Sequence, residues 1–366
     1  MIKIKNFFFL TLFLALTVLI WGVSDFVISN TFIKKQENCY IFEEKFYKLK
    51  ENCKGKFRFK TSFPATNIFT DEFGFRTMDS AEKELKEKKI FLLGDSFTFG
   101  VGLEYEDTFA GLLEINQSDY RFLNFAVPSY SPTVYSYKLK KVLEKKIIPD
   151  KVILFLDITD VHDEAGRWTF NRKTNKPELI TNEIFNKNKK DNFKHRNFKI
   201  TTQLASILNL NLRILRSELR NIFQEKTETN LTMNTFQGQF IFKNEKDLDA
   251  NFWSEGMVNK GSNNIVKNID TISKILKKNN SDFYLVIYPW AETLVYGQDF
   301  FNWSMFGKKL CSNEKCKFID TLQVFEQYKI NNKNWMTDLY FPNDIHFTKL
   351  GSEIIFNELI SKIDFN

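Results

Sequence analysis

The hydrophobic positions of this chain follow two spacings, one typical of buried strands and one typical of amphipathic helices. Between the apolar runs, hydrophobic residues recur three or four positions apart, as in the helix predicted to begin at Ser131-Pro132. Continuous apolar runs that alternate with such helices predict an α/β fold, in which a parallel sheet is covered by helices on both faces. The predicted strands are Phe91–Gly94, Arg121–Phe125, Val152–Leu156, Phe283–Tyr288 and Lys317–Ile319.

Three of these strands end at, or shortly before, a segment that carries polar side chains. The segments are Gly94-Asp95-Ser96, Val127-Pro128-Ser129 and Ile158-Thr159-Asp160. In an open parallel sheet, ligands bind at the carboxyl ends of the strands. We therefore expect these three segments to line one crevice.

The N-terminus has the pattern of a membrane anchor. Lys3 and Lys5 precede a run from position 7 to 23 without charge, and the next charged residue is Asp25. About 17 to 25 apolar residues cross a bilayer, and the basic flank favours a cytoplasmic N-terminus. A cleaved signal peptide and a buried helix are the alternatives. We predict a single-pass anchor in the inner membrane, with the rest of the chain in the periplasm or outside the cell.

Four cysteines stand in two local pairs, Cys39 with Cys53 and Cys311 with Cys316. In an oxidising compartment such pairs form disulfides, which agrees with a chain that lies outside the cytoplasm. Zinc binding is the competing interpretation, but the spacings match no usual zinc-ligand pattern and the chain has only 3 histidines.

Length and charge define the organisation and exclude one class of partner. With 366 residues, 43% of them hydrophobic, the chain can bury a full core. The net charge of +7 comes from dispersed lysines, so we predict no nucleic-acid partner. The predicted parts are an anchor at 1–30, a juxtamembrane segment at 31–64 and a main domain at 65–366. An insertion at about 164–262 contains a helix predicted at 206–223, which is either a lid or an ordinary surface helix.

Two distant segments carry the side chains of a nucleophilic site. Ser96 follows the first buried strand, and His346 stands two residues after Asp344. A serine needs a base to become a nucleophile, and an imidazole needs a carboxylate to hold its tautomer. Each residue taken alone is more often a solvated serine in a turn or a surface or capping histidine, whereas the position of Ser96 after a strand and of Asp344 beside His346 indicates a Ser-His-Asp arrangement.

Two further groups of side chains each have two interpretations. Tyr288 and Trp290 follow the fourth predicted strand, where they either line a substrate pocket or pack the strand end. His162 stands in an acidic loop that either binds a cation such as calcium or forms a polar rim. We predict no metal and no cofactor. The acidic residues of this loop are Asp160, Asp163 and Glu164.

Four sequence blocks resemble the SGNH (GDSL-type) hydrolase superfamily, particularly its membrane-anchored bacterial branch related to polysaccharide O-acetyltransferases. The resemblance covers roughly residues 65–366 apart from the insertion, and it implies a three-layer flavodoxin-like fold. It also implies that Ser96 is the nucleophile, with His346 as base and Asp344 as its orienting acid. The blocks are residues 94–102 (GDSFTFGVG, preceded by DEFGFR at 71–76), 124–131 (NFAVPSYS), 157–164 (DITDVHDE) and 344–351 (DIHFTKLG).

The same resemblance implies an oxyanion hole, and this chain departs from the family pattern there. Besides the N–H of Ser96, the family uses a glycine where this chain has Ser129 and an asparagine where it has Thr159. We expect the backbone N–H of Ser129 to donate in place of the glycine, and the Thr159 hydroxyl to replace the asparagine amide at shorter reach. Many members also place an aspartate at position 343, which is Asn343 here. Losing one oxyanion donor costs about 100- to 1000-fold in rate.

These observations lead to an expected function with one alternative. We expect an extracytoplasmic serine esterase or O-acyltransferase that acts on ester groups of a carbohydrate through an acyl-enzyme. The altered second and third blocks motivate the alternative, a catalytically weak or inactive carbohydrate-binding or assembly protein with the same fold.

Overall fold

The computed structural model of the protein describes residues 2–31, 39–59, 63–79, 87–180, 200, 201, 204, 255–298, 301–342 and 344–365. The chain divides into two compact units, one with the N-terminal helix and one with the main sheet. The helix predicted at 206–223 and Asn343 lie outside the described residues, as does most of the predicted insertion.

The first unit contains one long apolar helix, α1 (Ile2–Thr31). Its segment Thr11–Ser29 has 19 residues and a mean hydropathy of 2.1, which is long and apolar enough to cross a membrane. A helix of this kind at an N-terminus is either an anchor or a signal sequence. Within the same unit, the Asp25 carboxylate accepts hydrogen bonds from the backbone N–H groups of Ile200 (3.1 Å) and Thr201 (2.8 Å).

The second unit is built on an eight-stranded sheet with two separate two-stranded sheets beside it. Its strands, in chain order, are β1 (Tyr40–Phe42), β2 (Tyr47–Leu49), β3 (Lys54–Phe57), β4 (Thr66–Thr70), β5 (Arg76–Thr77), β6 (Lys88–Leu93), β7 (Tyr120–Asn124), β8 (Lys151–Leu156), β9 (Trp168–Asn171), β10 (Lys176–Leu179), β11 (Asp282–Ile287) and β12 (Lys317–Asp320).

The helices of this unit alternate with the central strands. They are α2 (Ser96–Phe99), α3 (Phe109–Asn116), α4 (Pro132–Glu144), α5 (Ile158–His162), α6 (Glu255–Lys278), α7 (Ala291–Tyr296), α8 (Trp303–Leu310), α9 (Leu322–Asn331), α10 (Trp335–Leu339) and α11 (Lys349–Lys362). As predicted, Ser131 occupies the N-cap position of α4, with Pro132 in its first turn.

The central strands are parallel, in the spatial order β7-β6-β8-β11-β12. This is the flavodoxin-like order, in which the chain first steps to one side of β6 and then to the other. Because such crossovers are right-handed, the reversal places helices on opposite faces. Accordingly, α3 packs with α11, while α4 and α8 pack with α6. The predicted three-layer fold is confirmed, and every residue of β8 is buried.

Three antiparallel strands, which the sequence pattern did not predict, extend the sheet beyond β7 in the order β5, β4 and β3. In β4 the buried positions alternate with half-buried ones, the pattern of a strand covered mainly on one face. Strand β3 belongs to the segment that we named juxtamembrane, so part of that segment is integrated into the sheet.

Both disulfides predicted from the spacing are confirmed. Cys39 is bonded to Cys53, and Cys311 to Cys316. The first disulfide links the residue before β1 to the residue before β3, and the second closes the turn between α8 and β12.

Candidate active site

Ser96 is the first residue of α2, at the carboxyl end of β6. The preceding Asp95 caps this helix, because its carboxylate accepts a hydrogen bond from the backbone N–H of Phe97 at 3.0 Å. Gly94 is required by a close approach, since a Cβ atom there would lie 2.1 Å from the hydroxyl of Thr98. The N–H of Ser96 opens a helix and has no partner within it, so it can donate to an anion.

His346 and Asp344 form a buried pair in the loop before α11. The Asp344 carboxylate contacts Nδ1 of the imidazole and also accepts a hydrogen bond from the His346 backbone N–H at 3.2 Å. Nε2 of His346 is buried and has no hydrogen-bond partner among the described residues. A carboxylate on Nδ1 holds the proton there and leaves the Nε2 lone pair available to accept one, as a general base requires.

The segments that carry Ser96 and His346 pack against each other. The ring of Phe97, the residue after Ser96, lies 5.0 Å from the imidazole of His346 between ring centroids. The same ring lies 4.9 Å from the ring of Phe347. The fold thus brings together two segments that are 250 positions apart in the sequence numbering.

Aromatic side chains enclose the histidine on its other sides. The rings of Phe59 and Phe63 lie 5.2 Å and 6.1 Å from the imidazole, both nearly perpendicular to it. Phe63 also packs on the ring of Phe341 at 4.9 Å. Such an enclosure excludes water, and interactions with a developing charge are stronger in its low dielectric.

Ser129 has a left-handed backbone conformation, which glycine adopts readily and other residues rarely do. Its φ angle is +62°, in the left-handed region that L residues rarely adopt. The indole N–H of Trp168 donates to the Ser129 carbonyl oxygen at 2.7 Å. This bond fixes the peptide group that follows Ser129, so Trp168 helps to hold the left-handed conformation.

Thr159 gives both of its donors to a carboxylate. Its backbone N–H donates to Asp157 Oδ1 at 2.8 Å, and its hydroxyl makes a short hydrogen bond to the same oxygen. We expected this hydroxyl to replace the family asparagine as a donor to the oxyanion. In the structure it lies between Asp157 and Asp95, at 3.4 Å from Asp95 Oδ2.

Tyr288 and Trp290 are both buried and both donate hydrogen bonds to acidic residues. The Tyr288 hydroxyl lies 3.2 Å from Asp95 Oδ1, and the Trp290 indole N–H lies 2.9 Å from Asp157 Oδ2. These contacts tie the end of β11 to the acids behind Ser96. The expectation that the pair lines a substrate pocket stays a prediction.

A cluster of buried acids behind the serine is the feature that sequence reasoning missed. Burial raises the pKa of Asp95 well above its usual range, and the neighbouring Asp157 raises it further. Burial likewise raises the pKa of Asp160, again with a contribution from Asp157. The signal was available, since Asp95, Asp157 and Asp160 each follow a predicted buried strand.

The acidic loop after α5 uses its side chains in hydrogen bonds and ion pairs. Asp163 contacts Nδ1 of His162 at 3.2 Å and Nε of Arg167 at 2.8 Å. Glu164 accepts hydrogen bonds from the hydroxyls of Ser131 (2.6 Å) and Thr133 (2.8 Å). Within the described part of the chain, no group of three or more histidine, cysteine or acidic side chains is arranged to hold a metal ion.

Solved structures similar to this chain include a lipolytic protein of the G-D-S-L family from Veillonella parvula, which is 11% identical with a TM-score of 0.40. That match covers 75% of this chain and 97% of the other. An acetylxylan esterase from Geobacillus stearothermophilus is 13% identical, with a TM-score of 0.39 and coverages of 78% and 98%. A psychrotrophic esterase from Pseudoalteromonas is 12% identical, with a TM-score of 0.34 and coverages of 75% and 96%.

No protein-family model and no curated protein matches the chain.

Proposed function

We propose that this protein is a serine esterase or O-acyltransferase with Ser96 as nucleophile, His346 as general base and Asp344 as the acid that orients the imidazole. Ser96 Oγ attacks the carbonyl carbon of an ester while His346 Nε2 takes its proton. The imidazolium then gives that proton to the departing alkoxide, which leaves an acyl-enzyme. Water resolves the acyl-enzyme in an esterase, and a sugar hydroxyl resolves it in a transferase.

The observation that carries this proposal is the state of His346. Its Nδ1 is held by Asp344, its Nε2 is buried without a partner among the described residues, and its ring packs on the residue that follows Ser96. A histidine that serves only in packing usually has both ring nitrogens paired or solvated. His346 instead keeps its Nε2 lone pair available, in a segment that packs against the segment carrying Ser96.

The oxyanion in this mechanism is held by the backbone N–H groups of Ser96 and Ser129. The first stands at the start of the single-turn helix α2, where the backbone N–H groups have no partner within the helix. The second belongs to a residue whose left-handed backbone is the conformation that a glycine would adopt. The site needs no metal and no cofactor for these steps.

We place the catalytic unit outside the cytoplasm, attached to the inner membrane by α1 and facing the periplasm. The apolar segment Thr11–Ser29 and the two disulfides support this location. A carbohydrate ester is the substrate that we propose, since the resemblance is to enzymes that modify polysaccharides.

One observation favours a second function, a carbohydrate-binding or assembly protein with little catalytic activity. Both donors of Thr159 are committed to Asp157, so this residue does not supply the third oxyanion hydrogen bond. A missing donor lowers the rate by about 100- to 1000-fold.

The test is labelling of the full-length protein in detergent with a fluorophosphonate probe, together with turnover of short-chain aryl esters. We expect wild type and the control variant Ser312→Ala, which removes an exposed serine, to be labelled and active. Ser96→Ala should lose both properties. Equal labelling of wild type and Ser96→Ala would refute the assignment of the nucleophile, and glycan binding without any labelling would favour the second function.

A further inference from the structure

The hydroxyl of Ser96 points to an acid that belongs to no catalytic triad. Among the described residues, its hydrogen-bond partner is Asp95 Oδ2 at 3.3 Å. The same oxygen lies 3.4 Å from the hydroxyl of Thr159. Oδ2 of Asp95 therefore faces the hydroxyl groups of Ser96 and Thr159. Whether Asp95 is protonated decides which of these three groups donates each hydrogen bond.

The hydroxyl of Thr159 can donate only once, and its proton is already used. Its short hydrogen bond is to Asp157 Oδ1, which also accepts from the Thr159 backbone N–H. The other oxygen of Asp157 accepts from the indole of Trp290 at 2.9 Å. Burial raises the pKa of Asp157, and the three donors directed at this carboxylate act against that shift. Of the two neighbouring acids, Asp157 therefore has the surroundings that favour the charged form.

Because its proton is directed at Asp157, the Thr159 hydroxyl oxygen can offer only a lone pair to Asp95 Oδ2. If Asp95 were ionised, lone pairs would face each other at this contact, and nothing would hold the two oxygens together. A proton on Asp95 Oδ2 makes the contact a hydrogen bond that donates to Thr159. The other oxygen, Oδ1, stays an acceptor for the Phe97 N–H and the Tyr288 hydroxyl.

The charges around Asp95 agree with a neutral acid. The acids Asp157, Asp160 and Asp163 act on it from the end of β8, from α5 and from the residue after α5. Tyr288 faces it from the end of β11, Tyr135 in α4 and Tyr47 in β2 also interact with its charge, and the His346 ring lies beyond Phe97. The guanidinium of Arg167 pairs with Asp163. In the described part of the chain no cation makes an ion pair with Asp95, so a second buried negative charge beside Asp157 would be uncompensated.

We propose that Asp95 is a protonated, uncharged positioning residue at neutral pH and that its carboxyl group aligns Ser96. The carboxyl group is itself held by the hydrogen bond that it donates to the Thr159 hydroxyl, which in turn donates to Asp157. This inference rests on the proposed function, because it gives the alignment of Ser96 a purpose. An uncharged acid is a weak acceptor, so the Ser96 hydroxyl can turn from Asp95 to the imidazole at little cost. An ionised Asp95 would hold the serine proton and would oppose the oxyanion that forms nearby.

Asparagine and alanine substitutions test the proposal, because asparagine reproduces the pattern of donors and acceptors of a protonated acid. The amide NH₂ of Asp95→Asn can donate to Thr159, while the amide oxygen accepts from Phe97 and Tyr288. We expect Asp95→Asn to keep kcat/KM for an aryl acetate within about tenfold of wild type, and Asp95→Ala to lose at least about 100-fold through misalignment. The fall of wild-type activity on the alkaline side, where Asp95 ionises, should be absent in Asp95→Asn.

An infrared measurement on the same full-length protein separates this proposal from the proposed function. At neutral pH the difference spectrum between wild type and Asp95→Asn should contain the carbonyl stretch of a protonated carboxylic acid. Only carboxylate bands in that spectrum would overturn the inference, whatever the activity. If the acid band is present and the wild type turns over no ester, the esterase assignment fails and the protonation state stands. Loss of activity in Asp95→Asn as large as in Asp95→Ala would also overturn the positioning role.

Discussion

Arg76 is the buried cation that holds the loop after the candidate nucleophile. Its guanidinium donates to the carbonyl oxygens of Gly100 at 3.0 Å and Leu103 at 2.8 Å, and it makes a short hydrogen bond to that of Phe99. It also stacks on the ring of Phe99 at 4.7 Å. Burial lowers its pKa to about 10, so the side chain is still charged at neutral pH. Strand β5 is therefore tied to the turn that follows α2.

Replacing this residue by alanine should destabilise the protein strongly. Each hydrogen bond to a charged donor contributes about 1.5–3 kcal/mol, and two of normal length are lost while their carbonyl partners stay buried. Partial entry of water offsets some of this loss, so we expect Arg76→Ala to lower the free energy of unfolding by about 3–5 kcal/mol. Arg76→Lys should fall between alanine and wild type, since an ammonium group cannot reproduce the guanidinium fork.

Urea unfolding of the full-length protein in detergent measures this loss. The matched control is Arg172→Ala, because Arg172 is exposed in the turn between β9 and β10 and should change stability by no more than about 0.5 kcal/mol. A loss below about 1 kcal/mol for Arg76→Ala would refute the reasoning, since it would mean that the three carbonyl groups find equivalent partners without the guanidinium.

Two further predictions concern the loop at Ser129 and the first disulfide. Ser129→Gly should keep stability or raise it by up to about 1 kcal/mol, because glycine adopts a φ of +62° without strain, whereas the β-branched Ser129→Val should lower it by more than about 1 kcal/mol. Thermal unfolding of both variants checks this, and a more stable valine variant would contradict it. Replacing Cys39 and Cys53 together by serine opens a crosslink with a sequence separation of 14, so we expect a loss of about 3 kcal/mol. Unfolding of this double variant and of wild type, both without reductant, measures that loss, and identical curves for the two proteins would contradict it.

Local patterns in the sequence determined the central architecture. The strands β6, β8 and β11 contain continuous apolar runs because both of their faces are buried over those runs, and this signal does not depend on distant residues. The disulfides were predictable for a similar reason, since each links cysteines close in the sequence. The contact between Asp344 and His346 likewise spans only two residues.

Only the tertiary structure decided which partners the polar side chains of the site acquire. Thr159 was expected to face the substrate, but Asp157 holds both of its donors. Tyr288 and Trp290 reach the acids behind Ser96 because parallel strands end at the same edge of the sheet, over separations of 193 and 133 residues. The antiparallel strand β3 also needs its neighbour β4 before its backbone groups are paired. Such contacts follow from the path of the chain in space, and the spacing of residues along the sequence does not contain that path.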